Sequence, residues 1–77
     1  MEIEDLLRRS SNGTIYEILA ELDAKRYQIT RLLENGKPIF DTLHGQPFEN
    51  LYQKRRELWL KVKTIDMLAS ILLKHLQ

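Results

Sequence analysis

From Pro47 to Leu76 the chain contains no glycine and no second proline, and its apolar residues recur at helical spacing. Phe48, Leu51, Arg55, Leu58, Val62, Ile65, Ala69, Leu72 and Leu76 fall on one stripe in the alternating steps of a heptad, with Arg55 its one polar member. Such a segment is a long helix, and Pro47 is a favoured first helical residue. A stripe of that length needs an apolar surface to lie on, so a second helix must answer it.

The answering helix is predicted over 15–35. Thr14 followed by Glu17 reads as a capping box in front of an apolar-periodic run. Ile15, Ile18, Leu19, Leu22, Ile29, Leu32 and Leu33 then share one face. Lys25 and Arg26 interrupt it, where aliphatic stems can lie along a core and the charges reach water. Asn35-Gly36 closes the helix, with Gly36 suited to the left-handed position after a helix end. The connection spans 36–46, GKPIFDTLHGQ, and some of Ile39, Phe40 and Leu43 should pack over the hairpin end.

The fold class is therefore all-α: an antiparallel two-helix hairpin over one domain, 1–77. A short N-terminal helical segment, 2–9, precedes the interruption 10-SSNG-13. At the rise of an α-helix the first long helix would span roughly 30 Å and the second, 47–76, roughly 45 Å. The second should overshoot the first, with Ile3, Leu6 and Leu7 folding across Leu72 and Leu76.

Composition narrows the function. A chain of 77 residues without cysteine has no disulfide to stabilise it, so good helix packing, oligomerisation or a partner must do so. His44 and His75 are isolated, with no metal-ligand spacing around them. His75, near a helix end, suits the helix dipole. Glu21 and Lys25 stand at i,i+4, as a surface ion pair does. No nucleophile–base pair emerges, so neither catalysis nor a cofactor is expected. The start, MEIEDLL, lacks the layout of a signal peptide, and the uncharged run 67-MLASILL-73 is far short of the roughly 20 residues of a membrane span. A cytoplasmic protein with no membrane partner is the expectation. The net charge is +1, with residues 1–35 net negative and 36–77 net positive, which weakly favours antiparallel contact of the two halves.

The second helix is apolar on more than one side. At about 100° per residue, Leu60, Met67 and Ile71 lie roughly opposite the Val62/Ala69 stripe, Leu68 flanks them, and Trp59 sits with Tyr52 on the shoulder of the core. The first helix carries a weaker outer face of Tyr16, Ala20 and Tyr27. One helix cannot cover both sides of another, and contiguous exposed apolar groups mark interaction surfaces. Leu60, Met67, Leu68, Ile71, Trp59, Tyr16, Ala20 and Tyr27 are the candidate partner-binding residues, for a second copy or a different protein. The basic run Lys54, Arg55 and Arg56, with Lys61 and Lys63, raises an alternative: a small homo-oligomeric regulator binding nucleic acid. With so low a net charge and no base-reading motif, the run reads more simply as a solvated flank, and no nucleic acid is expected.

The layout resembles the YscE-type co-chaperones of type III secretion, which are short, cysteine-free helical hairpins. The resemblance rests on the acidic start with spaced leucines, 2-EIEDLL-7, the leucine- and isoleucine-rich first helix, and the turn at Asn35-Gly36. It continues in 52-YQ-53 and in the aliphatic end 65-IDMLASILL-73. It covers most of the chain, which differs in its longer apolar connection and in Trp59. The resemblance implies pairing with a tetratricopeptide-like chaperone and, through it, with a needle subunit kept unpolymerised in the cytosol. The apolar second face would then be part of the chaperone-binding surface.

Overall fold

The computed structural model describes residues 11–76. Among them are two helices and no strand: α1, Asn12–Phe40, and α2, Gly45–Lys74. The start of α1 meets the end of α2, where Ile15 and Leu72 form one buried cluster with Leu19, Leu22 and Leu76 against it. Further along, Ile29 and Leu33 join Val62 and Ile65 in a second cluster that Leu22 and Leu58 flank. The helices are thus antiparallel, and Leu22 links the two clusters. The expected segment 2–9 lies outside the described residues.

Every member of the stripe on α2, Arg55 included, is buried or half-buried. On α1 the same holds for Ile15, Leu19, Leu22, Ile29 and Leu33, but Ile18 and Leu32 are exposed, contrary to their expected place in the core. A helix with a single helical neighbour buries a strip narrower than the face that a globular core would cover. Ile18 and Leu32 lie on the same flank of α1, just outside that strip.

The helix ends differ from the sequence expectation, each for a local reason. Ser11, not Thr14, caps α1: it is extended (φ −71°, ψ 159°) and its Oγ accepts the Thr14 N–H at 3.2 Å. The Thr14 amide is therefore taken, and the reciprocal bond to Glu17 that defines a capping box at Thr14–Glu17 has no donor. At the other end α1 does not stop at Gly36. It continues through Gly36 and Pro38 to Phe40, and Gly36 is not left-handed.

Pro38 lacks an N–H and so leaves the Glu34 carbonyl without its usual helical donor. Tertiary contacts hold the last turns regardless. The Phe40 ring stacks on Phe48 with centroids 4.9 Å apart, and the Arg55 guanidinium lies 4.9 Å above Phe40. Arg55 Nη1 also donates to the Leu33 carbonyl at 3.0 Å. A Cβ at Gly36 would stand 3.4 Å from that nitrogen, at ordinary contact distance, so the guanidinium's approach does not depend on the bare glycine.

Beyond Phe40 the last carbonyls of α1 are met by turn residues: the Asp41 N–H donates to Lys37, the Thr42 N–H and Oγ1 to Ile39, and the Leu43 N–H to Phe40. The connection is therefore 41–44 rather than 36–46. Phe40 and Leu43 are half-buried at the hairpin end, as expected of that region, whereas Ile39 is exposed. α2 begins at Gly45, whose φ of +65° suits glycine. Pro47 falls in its first turn, where an amide would have no helical partner. α2 ends at Lys74 rather than Leu76, and the His75 N–H donates to Leu72 and Leu73.

With 29 and 30 residues the two helices are nearly equal in length, each about 45 Å. The expected overshoot of α2 is absent, since Ile15 of α1 already packs against Leu72. The molecule is a flat rod of 50 × 23 × 13 Å. Its thin dimension is close to the width of one helix with its side chains, roughly 10–12 Å.

Candidate interaction surface

A single layer of two helices buries only the seam between them. Compact domains instead stack two or more layers on a common core. Among the described residues nothing is layered on the broad sides of the hairpin, and these sides are rich in apolar groups. Tyr16, Tyr27, Trp59, Leu60, Met67, Leu68 and Ile71 are between 40% and 67% exposed, and Ala20 is exposed as well.

These residues do not form one patch. Leu60, Met67 and Ile71 run along the outer side of α2, opposite Val62, with Leu68 on the flank beside them. Tyr16, Ala20 and Tyr27 lie along the outer side of α1, where Arg31 sits 5.8 Å above the Tyr27 ring. Trp59 belongs elsewhere: with Phe40, Tyr52, Arg55 and Arg56 it lines a shallow hollow of about 320 Å³ near the connection. Phe48 stacks on Tyr52 beside it at 6.1 Å.

Exposed apolar residues outside the expected set extend the surface. Ile18, Leu32 and Ile39 follow one flank of α1, with Lys25 between the first two at seven-residue steps. Ile18, Lys25 and Leu32 stand three positions beyond Ile15, Leu22 and Ile29, a spacing present in the sequence, and Ile39 continues the seven-residue step. Leu73 is a further exposed apolar residue, near the end of α2.

The polar groups give the surface its charge pattern. Arg26 Nε meets Asp66 across the seam at 2.8 Å, Lys37 meets Asp41 at 2.9 Å, and Lys54 lies 3.7 Å from Glu57. Glu21 and Lys25, expected as an i,i+4 pair, do not bridge. The basic run of α2 does not assemble into one face. Arg55 is committed to Leu33 and Phe40, while Lys61 and Lys63 point about 200° apart around the helix axis.

Among the described residues no three histidine, cysteine, aspartate or glutamate side chains are grouped to hold a metal ion. No described helix is long and apolar enough to cross a membrane. The fold and surface define an all-α helical hairpin with apolar strips on its outer sides. Comparison with protein-family models, with curated proteins and with solved structures found no significant match.

Proposed function

We propose that this chain is a non-catalytic co-chaperone of the YscE type. It pairs with a tetratricopeptide-like chaperone of a type III secretion system and helps keep the needle subunit unpolymerised in the cytosol. The observation that carries a binding role is the exposed outer strip Leu60, Met67 and Ile71, over which no second layer lies among the described residues. The secretion-specific part of the reading rests on the resemblance of the sequence to that family.

The mechanism is burial of helix faces. Tetratricopeptide arrays stack helix pairs into a curved solenoid with an extended concave surface. A helical rod with an apolar side fits such a surface in the helix-in-groove mode, and methionine adapts well to a partner's contour. Binding only the folded forms then stabilises both proteins by mass action. The nucleic-acid alternative draws less support, because Arg55 is engaged within the hairpin and the lysines of α2 are dispersed.

Co-expression with a tetratricopeptide-like chaperone and its needle subunit tests the proposal. A complex that co-elutes, with more soluble chaperone than when the chaperone is expressed alone, is the expected result. A stable monomer that ignores every such chaperone would overturn it, as would salt-dependent binding to DNA.

A further inference from the structure

One side of the hairpin carries a groove of about 360 Å³ lined by Lys25, Ile29, Leu60, Lys61, Thr64 and Ile65. Ile29 and Ile65 are buried and form its floor, and Leu60 continues it onto the outer strip of α2. The Thr64 hydroxyl donates to the Leu60 carbonyl at 2.9 Å, so the one neutral polar group of the lining has its donor satisfied within the helix. Lys25 from α1 and Lys61 from α2 line the groove together. Both are exposed, and neither takes part in an ion pair of the hairpin. An apolar floor between two ammonium groups that form no ion pair among the described residues favours an apolar and acidic complement.

We propose that this groove docks an amphipathic helix of a different protein, whose apolar side carries a carboxylate placed between Lys25 and Lys61. The inference builds on the binding role above and specifies the chemistry of the partner. A second copy of the chain is the wrong occupant. Lys25 and Lys61 lie near the midpoints of their helices, so a two-fold contact centred on the groove would bring the lysines of both copies together. The lysine pair therefore disfavours self-pairing and selects an acidic helix, as like and unlike charges across an interface do.

Three helical peptides with the same leucine anchors at i, i+3 and i+7, differing only in Glu, Gln or Lys at the central polar position, test this. Each is titrated against the wild-type chain and against the double variant Lys25→Glu/Lys61→Glu, with far-UV circular dichroism confirming that both are folded. The wild type should bind the Glu peptide about tenfold more tightly than the Lys peptide, and the double variant should reverse that order. Lys25→Gln/Lys61→Gln should bind all three alike, and it decides the matter if the double reversal fails to fold. An unchanged ranking, or no binding of any peptide, overturns the proposal. A wild-type dimer dissolved by Leu60→Glu, or duplex DNA binding lost in the double variant, overturns it too by naming another occupant.

A tetratricopeptide-like chaperone titrated against the same chains separates the two readings. Equal binding to wild type and double variant removes the groove's role and leaves the co-chaperone reading. The peptide preference without chaperone binding does the reverse.

Discussion

Two glycines of this chain respond to the same substitution in opposite directions. Gly36 lies inside α1, and a Cβ there meets Arg55 Nη1 only at 3.4 Å, the movable end of a long side chain. Gly36→Ala should stabilise the hairpin by about 0.5–1 kcal/mol through helix propensity. Gly45 has open space around it but a φ of +65°, so Gly45→Ala should cost about 1–2 kcal/mol. Urea unfolding of the two variants gives both signs. The N-cap is equally specific. Ser11→Ala should cost about 1 kcal/mol, and Thr14→Ala less, because the capping oxygen belongs to Ser11. Equal losses, or a larger one at Thr14, would restore Thr14 as the cap. Arg55→Met keeps the aliphatic stem but removes the donor to Leu33 and the cation over Phe40. A loss of about 1–2 kcal/mol is expected, and Arg55→Lys should not restore it, since an ammonium does not reproduce the planar guanidinium that both bonds the carbonyl and stacks on the ring.

At the scale of the elements, the sequence states the pairing and misplaces the ends. The stripe from Phe48 to Leu76 was legible because a heptad over that length has few other solutions, and each of its members is buried or half-buried. The start and stop of α1 were not. Gly36 and Pro38 are local stop signals, and they are overridden by the Phe40–Phe48 stack and by Arg55, which come from the far side of the hairpin. A single-residue reading has no access to that contact. Arg55 itself was visible as the odd polar member of the stripe, but its acceptor on α1 was not. The outer strip of α2 was legible from the helical angle alone. The place of Trp59 beside Tyr52 on the shoulder of the core was legible as well; that Phe40 lines the same hollow was not, because it depends on where α1 ends.

For the molecule as a whole, shape is the informative property. A radius of gyration of 16.6 Å compares with about 11 Å for a compact globule of this length. The rod keeps a thin core and a large open surface, so its stability rests on the seam, and the proposed partner binding would use the sides. The Arg26–Asp66 ion pair across the seam is about half exposed. Raising the salt concentration should therefore change the unfolding free energy by less than about 1 kcal/mol, as chemical denaturation at low and high salt would read. Partner binding in the Lys25–Lys61 groove should weaken visibly under the same change.

The central claim is that α2 has two separate faces, one closing the hairpin and one reserved for a partner. Placing a charge on each face tests it most directly. Val62 is buried in the seam and Ile71 is 40% exposed on the outer strip. Far-UV circular dichroism and solution mass are measured for Val62→Glu and Ile71→Glu, alone and with the tetratricopeptide-like chaperone. Val62→Glu should unfold the isolated chain. Ile71→Glu should keep its helix content and unfolding midpoint while losing the complex. An Ile71→Glu chain that unfolds on its own, or one that binds the chaperone as the wild type does, would contradict the account.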